Sequence, residues 1–275
     1  MSDEYDLEAG PDPATVAAAS AEPTGAIDAG SGASTAPVFA VGIGPGNSEY
    51  LTPRGKRAIR EADVVVGFST VVEFVADVAG SETDVLTCGY ADEREALETF
   101  AERVASGAAG TAVLMGDPNH SGYQFVGKVQ RAVAAAAPET PVRVIPGISS
   151  LQLAASRART PMEGSEFVTL HKSGNIDSDL SRLAAAVGDR HLLVLPRPYD
   201  FMPGDIADFL LENGADPGLE ALVLEKLTHE DERIHRFTLA ELSDHAGGSG
   251  SEDTPFVDLN VLVVRRSVGA EVLRR

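Results

Sequence analysis

Three loops rich in glycine, serine and polar side chains follow three of the strands that the sequence predicts. They are residues 42–47 (Gly-Ile-Gly-Pro-Gly-Asn), 116–122 (Gly-Asp-Pro-Asn-His-Ser-Gly) and 146–150 (Pro-Gly-Ile-Ser-Ser). Glycine lets a ligand approach the backbone, and serines that cap a helix leave N–H groups free to bind polar ligands. Because parallel strands end at one edge of a sheet, we expect the loops to converge on one crevice that binds a small molecule.

The first loop is not a nucleotide-binding fingerprint. The dinucleotide pattern needs a third glycine where Asn47 stands, and the second strand ends at Gly67 and Phe68 without an acidic residue for a ribose. No Gly-Lys-Ser/Thr follows the loop, so the phosphate-binding P-loop is absent as well. The sequence therefore disfavours a dinucleotide-dependent oxidoreductase.

The histidines and the single cysteine do not indicate a metal site. Four histidines are scattered, no His-x-x-x-His pair occurs, and Cys88 has no partner cysteine; the four are His191, His229, His235 and His245. We expect no metal bound by the protein itself and interpret Cys88 as a buried strand residue.

Residues 37–150 alternate β-branched runs with helical patterns. Strands are predicted at 38–42, 64–66, 84–87, 112–115 and 142–145. Thr52 and Pro53 are the expected N-cap and first residue of a helix that runs to about Ala62, and residues 92–95 are a charged helix start. Strands joined by helices predict a mostly parallel sheet in an α/β domain.

Residues 151–275 predict a mixed α/β domain. Its strands are expected at 167–170, 191–195, 221–224, 233–237 and 259–264, and its helices near 148, at 180–187 and at 204–213. Strands with no helix between them are expected to pair antiparallel. The predicted fold class is therefore α/β with two domains, a mostly parallel N-terminal sheet and a mixed C-terminal sheet.

The charge of the chain excludes some classes of protein. A net charge of −20 over 275 residues argues against general nucleic-acid binding, and no apolar run is long enough to span a membrane. Residues 1–36 are acidic and rich in alanine, glycine, serine and proline, which predicts a disordered tail.

The absence of a secretory signal and of cysteine pairs indicates a cytoplasmic location. Abundant acid with little lysine favours a halophilic protein, because concentrated salt screens the repulsion.

Several segments together resemble the tetrapyrrole methyltransferases of corrin biosynthesis. In chain order they are residues 41–46, 51–53, 62–67, 116–118 and 146–150. Other segments resemble the members that methylate carbon 5 of the corrin ring, namely 149–155, 168–171, 224–233 and 258–261. The resemblance covers nearly all of residues 37–265. It implies S-adenosyl-L-methionine as cofactor, a tetrapyrrole as substrate and methyl transfer to carbon 5.

The resemblance also implies an active site in the cleft between the two domains. The cofactor-binding residues would be Gly116, Asp117, Pro118, His120, Ser149, Ser150, Leu195, Pro196, Leu222 and Asp258. The substrate-binding residues would be Gly44, Pro45, Gly46, Arg157, His171 and Lys172. The glycine turn would face the macrocycle, and the cations, which lie near predicted cleft elements, would pair with its carboxylates.

Methyl transfer to a nucleophilic ring carbon asks little of side chains. In-line alignment and exclusion of water supply most of the catalysis. A base is needed at most to accept a proton afterwards, and His120 and His171 are the candidates. The sequence assigns no catalytic residue.

Two other interpretations stay open. The chain could methylate another position of a corrin or porphyrin ring, since one fold serves several positions, or it could bind a tetrapyrrole without catalysis.

The resemblance also implies a homodimer. In some relatives a second domain methylates carbon 15 and removes a carboxyl group. Because this chain ends soon after its last predicted strand, we expect that step to belong to a separate protein that contacts it transiently.

Overall fold

The computed structural model describes residues 36–89, 91–120, 122–172, 174–248 and 250–267. These residues form two compact units, 36–149 and 150–267. Each unit has its own five-stranded sheet and its own hydrophobic core, as a folding unit requires. The predicted acidic tail, residues 1–36, lies outside the described residues except for Ala36.

The first unit is built on a parallel sheet with the strand order β3-β2-β4-β1-β5. Its strands are β1 (Val38–Gly42), β2 (Val64–Phe68), β3 (Asp84–Cys88), β4 (Gly110–Leu114) and β5 (Val142–Ile145). Valine-rich runs suit parallel strands that helices cover on both faces. The predicted parallel sheet is confirmed, although β4 begins at Gly110, which already pairs with Val64 of β2.

Helices pack on both faces of this sheet. They are α1 (Pro53–Arg60), α2 (Ser69–Glu73), α3 (Glu93–Ala105) and α4 (Tyr123–Ala136). On one face α1 buries Ile59, and on the other α3 buries Phe100. As predicted, α1 begins at Pro53, and the hydroxyl of Thr52 accepts a hydrogen bond from the Gly55 N–H at 3.1 Å.

The carboxyl end of β3 leads into the charged start of α3. Cys88 is buried, as predicted, and burial raises the pKa of its thiol to about 11. Helix α3 begins at Glu93, which confirms the predicted helix start. Unlike a solvated charge, Glu93 is buried and pairs with Lys128 of α4 at 2.6 Å. This ion pair links the two helices on that face of the sheet.

The second unit contains a mixed sheet with the strand order β6-β7-β10-β8-β9. Its strands are β6 (Ser165–Thr169), β7 (His191–Leu195), β8 (Glu220–Glu225), β9 (Arg233–Thr238) and β10 (Asn260–Val264). Strands β6 and β7, which a helix separates in the sequence, are parallel, whereas β8 and β9 follow each other directly and are antiparallel. Strand β10 lies between β7 and β8, antiparallel to both. The mixed sheet predicted from the sequence is confirmed.

The helices of the second unit are α5 (Ser150–Ala158), α6 (Asp177–Ala186), α7 (Pro203–Glu212) and α8 (Leu239–Ser243). The sequence did not predict α8, although Thr238 and Glu241 have the spacing of a capping box. Each of the two side chains accepts a hydrogen bond from the backbone N–H of the other residue. None of the helices in the described part of the chain has the length and apolar character needed to cross a membrane.

Each sheet brings a group of loops to one edge. In the first sheet, β4, β1 and β5 are neighbours and parallel, so the loops that follow them leave from the same edge. In the second sheet, β6, β7 and β8 end where β10 begins. The loops that follow β6, β7 and β8 and the segment that precedes β10 therefore share an edge; their described residues are 170–172 with 174–176, 196–202, 226–232 and 254–259.

Candidate functional site

Three glycines meet where β1, β4 and β5 end, and we call them the glycine junction: Gly42, Gly116 and Gly147. A Cβ atom on Gly42 would lie 2.6 Å from the Gly116 carbonyl oxygen and 2.6 Å from the Gly147 nitrogen. A Cβ atom on Gly147 would lie only 2.1 Å from the same Gly116 oxygen. Atoms in a packed protein do not approach this closely, so Gly42 and Gly147 can have no side chain here.

Two backbone hydrogen bonds join the turn after β1 to the loop after β4. The Gly44 N–H donates to the Gly116 oxygen at 3.2 Å, and the Gly116 N–H donates to the Gly44 oxygen at 2.8 Å. Gly44, Gly46 and Gly116 have φ angles of 82°, 119° and 63°, which other residues rarely adopt. Pro45 is buried between the two turn glycines. The predicted substrate turn is thus fixed against the predicted cofactor loop.

The carboxylate of Asp117 connects the loop after β4 to the loop after β5. One oxygen accepts a hydrogen bond from the Asn119 N–H at 2.8 Å, and the other accepts from the Gly147 N–H at 3.2 Å. Pro118 is buried, and its ring lies beside Gly42, since a Cβ there would come within 2.7 Å of Pro118 Cδ. Asp117 therefore organises this edge through its side chain, which joins the two loops.

His120 has a polar atom that no protein group satisfies. Its backbone N–H donates to the Asp117 carbonyl oxygen at 3.0 Å, which closes the loop. Its Nδ1 atom is buried and has no hydrogen-bond partner within the described residues. A buried polar atom without a partner is costly, and at a loop edge it indicates a place for a ligand group.

The two serines occupy the start of the segment that follows β5. Ser149 is 2% exposed, and its Cα lies 3.7 Å from where a Cβ on Gly116 would be. Ser150 is half-buried and is the first residue of α5, slightly later than the start predicted near Ile148. Of the predicted cofactor residues, Gly116, Asp117, Pro118 and Ser149 are therefore close together at one edge.

The remaining predicted cofactor residues belong to the second unit. Leu195 ends β7 and the buried Pro196 follows it, while Asp258 is exposed just before β10. Leu222 is buried inside β8, opposite Val263 of β10. Three of these residues thus lie at the loop-bearing edge of the second sheet, and Leu222 lies deeper within the sheet.

His171 follows β6 at the same edge. Although part of its side chain is exposed, desolvation of the ring lowers the pKa of His171, and the Asp258 carboxylate opposes this shift. The Asp258 carboxylate is therefore close enough to the His171 ring to stabilise its protonated form. The lowered pKa favours the neutral imidazole, in which one ring nitrogen is a proton acceptor.

The predicted substrate cations already have protein partners. Arg157 of α5 donates to Glu232 at 2.8 Å, and Lys172 lies 2.5 Å from Asp179 of α6. The Lys172 and Asp179 side chains are each only 10% exposed. An ammonium held in this way is chiefly a structural group, and it would have to leave its carboxylate to bind a substrate.

Sequence reasoning missed two kinds of residue at these edges. Gly42 and Gly147 were part of recognised segments, but only the sheet register shows that they touch each other's backbones. Lys226 and Thr228 have φ angles of 48° and 73° in the loop after β8, and no sequence signal indicated this strain. Strained backbone that is held by its surroundings is typical of binding loops.

Metal ligands do not cluster in the described ranges. No group of three or more histidine, cysteine, aspartate or glutamate side chains there is arranged to hold a metal ion. The chemistry of the described edges is that of backbone groups, an unpartnered imidazole nitrogen and closely packed loops.

Comparison with known proteins extends these observations. Residues 37–243 match the model of the tetrapyrrole (corrin/porphyrin) methylases. A probable cobalt-precorrin-7 C(5)-methyltransferase of Methanocaldococcus jannaschii is 27% identical over 210 residues, which cover 75% of this chain and 92% of that protein. An S-adenosyl-L-methionine-dependent uroporphyrinogen III methyltransferase of Methanosarcina barkeri is 27% identical over 224 residues, covering 76% of this chain and 85% of the relative.

The fold is also similar to that of a solved structure. The uroporphyrin-III C-methyltransferase of Thermus thermophilus, in complex with S-adenosylhomocysteine, superposes with a TM-score of 0.63 at 24% identity. The match covers 86% of this chain and 93% of the other. With a parallel sheet, a mixed sheet and a family match over most of its length, this chain belongs to the tetrapyrrole (corrin/porphyrin) methylases.

Proposed function

We propose that this chain, an S-adenosylmethionine-dependent tetrapyrrole methyltransferase, methylates carbon 5 of cobalt-precorrin-7. The observation that carries the proposal is the similarity to the Methanocaldococcus jannaschii protein, which extends over 92% of that relative. Of the four segments on which the resemblance to carbon-5 enzymes rests, 168–171, 224–233 and 258–261 border the loop-bearing edge of the second sheet, and 149–155 belongs to the start of α5. A substrate bound at that edge would contact the first three segments.

The residues at the first edge fit the cofactor. S-adenosylmethionine presents a nucleoside and an amino acid, both of which bind backbone and imidazole groups. A Cβ on Gly116 would meet only the Ser149 Cα, at 3.7 Å, so there is space beside the Gly116 Cα. The Nδ1 atom of His120, which has no partner among the described residues, offers a hydrogen-bonding group in the same loop. We propose that the loop after β4 and the start of α5 bind the cofactor, together with Leu195, Pro196 and Asp258 as predicted from the sequence.

The contribution of the protein to catalysis is placement. When bound, the cofactor supplies an electrophilic methyl group. The glycine junction and the Asp117 carboxylate fix the loops that would hold it, and Pro118 and Ser149, which are buried beside them, would help to exclude water. His171, whose lowered pKa favours the neutral imidazole, is one candidate on the second edge to take up a proton after transfer.

A second candidate acceptor is uroporphyrinogen III. The Methanosarcina barkeri relative, whose name specifies this substrate, is as similar in identity as the carbon-5 relative. It differs in coverage, since the match spans 85% of that protein rather than 92%. The homodimer, the transient contact with a separate carbon-15 enzyme, the cytoplasmic location and the high-salt setting stay predictions from the sequence.

Isothermal titration with S-adenosylhomocysteine and with NAD tests the cofactor assignment. We expect S-adenosylhomocysteine to bind and NAD to give no binding heat.

We expect Asp117→Ala to weaken the binding of S-adenosylhomocysteine about tenfold, because the loops after β4 and β5 lose their connection. The matched control is Asp63→Ala, whose carboxylate accepts a hydrogen bond from the Ala109 N–H at 2.8 Å at the opposite edge of the same sheet. Equal affinities in both variants would show that the loop after β4 does not hold the cofactor.

A further inference from the structure

The peptide of Val257 is held from both sides by buried side chains. Its N–H donates to one carboxylate oxygen of Glu225 at 2.8 Å, and its carbonyl oxygen accepts from the amide nitrogen of Asn260 at 2.5 Å. Glu225, the last residue of β8, and Asn260, the first residue of β10, are paired across the sheet. They are 6% and 5% exposed. We call these two residues the peptide clamp.

The clamp is itself fixed by its surroundings. The second oxygen of Glu225 lies 2.8 Å from Nε2 of His235 on β9. The ring of His235 packs edge-on against Phe256, with centroids 6.0 Å apart. Phe256 is 4% exposed and directly precedes Val257. The segment before β10 is therefore anchored by a ring, a carboxylate and an amide.

Two exposed residues, Asp258 and Leu259, follow Val257, and we call them the tip. Leu259 is 46% exposed, and its carbonyl oxygen accepts from the Lys226 N–H at 2.8 Å. The Asp258 carbonyl oxygen accepts from the Asn260 N–H at 3.0 Å. The position of the tip thus depends on the clamp below it and on the loop after β8 beside it.

Stability alone does not explain polar residues at these positions. Side chains alternate along a strand, and the residues on the same face of β8 and β10 are apolar core residues: Ala221, Val223, Leu262 and Val264. A buried carboxylate and amide cost desolvation free energy, and well-packed apolar side chains are often more stable. Moreover, the Oδ1 atom of Asn260 is buried without a hydrogen-bond partner in the described ranges. The position that Glu225 and Asn260 impose on the Val257 backbone explains these polar residues better than stability does.

We propose that Glu225 and Asn260 are positioning residues that set the backbone at Asp258 for binding of the cofactor. This inference rests on the proposed function, in which Asp258 contributes to that site. Neither residue touches the cofactor in this scheme. They act through the backbone of Val257, which holds the tip in one conformation. A tip that is already ordered costs less conformational entropy when the cofactor binds.

The experiment compares variants at the two ends of β8. Glu225→Ala removes the clamp carboxylate, while Glu225→Gln keeps an oxygen for the Val257 N–H and an amide for His235. Glu220→Ala is the control, since Glu220 pairs with Arg236 and Arg265 at the opposite end of the strand. Affinity for S-adenosylhomocysteine is measured by titration, and hydrogen exchange of the Val257 amide is measured by NMR without ligand.

We expect Glu225→Ala to weaken S-adenosylhomocysteine about tenfold and to accelerate Val257 exchange, with Glu225→Gln restoring both to near wild type. Glu220→Ala should leave both unchanged. If Glu225→Ala does not fold, Asn260→Ala provides the same comparison from the carbonyl side.

Three outcomes overturn the inference, and the last is distinguishable from the first two. Wild-type affinity in Glu225→Ala, or equal losses of affinity in Glu225→Ala and Glu220→Ala, would overturn the positioning role of the clamp and leave the proposed function in place. A wild-type chain that does not bind S-adenosylhomocysteine would overturn the proposed function, and with it the role of the clamp in cofactor binding, whatever the exchange rates.

Discussion

Replacing Gly147 with alanine is expected to lower the free energy of unfolding of the first unit by about 3 kcal/mol and to abolish detectable S-adenosylhomocysteine binding. The added Cβ would lie 2.1 Å from the Gly116 oxygen and 2.7 Å from both the carbonyl carbon and oxygen of Gly42. All three atoms are backbone atoms, so no side chain can rotate to make room. The strand ends must separate, and the loops they carry must move with them.

Gly89→Ala is the matched control for this variant. A Cβ on Gly89 would meet only an Asp92 carboxylate oxygen, at the ordinary contact distance of 3.6 Å. Urea denaturation and titration of both variants separate the clash from the general effect of replacing a glycine. If Gly147→Ala were as stable as Gly89→Ala and bound S-adenosylhomocysteine like wild type, the glycine junction would not be the framework of the first edge.

Replacing Lys172 with methionine is expected to lower the free energy of unfolding by about 3 kcal/mol, because it leaves the Asp179 carboxylate buried without its main partner. The two charged groups lie 2.5 Å apart, and Arg182 is a more distant second cation at 3.8 Å. Lys172→Met combined with Asp179→Leu is expected to recover most of the stability, since no buried charge then remains. Thermal and urea unfolding provide the measurement.

The control for Lys172 is Lys226→Met, which removes an exposed ion pair with Asp231. Such pairs contribute less than about 1 kcal/mol. The sequence placed Lys172 among the residues that bind the tetrapyrrole. Lys172→Met separates this substrate role from the structural role that the ion pair indicates. Unchanged stability together with weaker tetrapyrrole binding would favour the substrate role over the structural one.

The strands and their directions were predictable because local pattern determines them. Valine-rich runs separated by helical patterns indicate parallel strands, and the direct succession of β8 and β9 indicates a hairpin. Thr52 and Pro53 mark a helix start whose hydrogen bonds are all local. Such features need no knowledge of which distant segments meet.

The contacts at the two edges were not predictable in the same way. Lys172 appears in the sequence as a cation next to a strand end, and only the packing of α6 brings Asp179 to it. Glu225 and Asn260 become partners through the register of β8 with β10, which the sequence does not specify. The close approach of Gly42 and Gly147 likewise depends on the neighbouring positions of β1 and β5. Loop positions followed from the strands, but the partners of each side chain required the tertiary structure.

The most direct test of the account is transfer of a carbon-13 methyl group from labelled S-adenosylmethionine to cobalt-precorrin-7 by the purified chain. We expect one labelled methyl per ring, attached to carbon 5 by NMR, with one S-adenosylhomocysteine formed and no carbon dioxide released. Label on another carbon, or transfer only to uroporphyrinogen III, would change the acceptor position and leave the family activity in place. Failure to label either tetrapyrrole, with a folded protein that does not bind S-adenosylhomocysteine, would contradict the central claim that this chain is a methyltransferase.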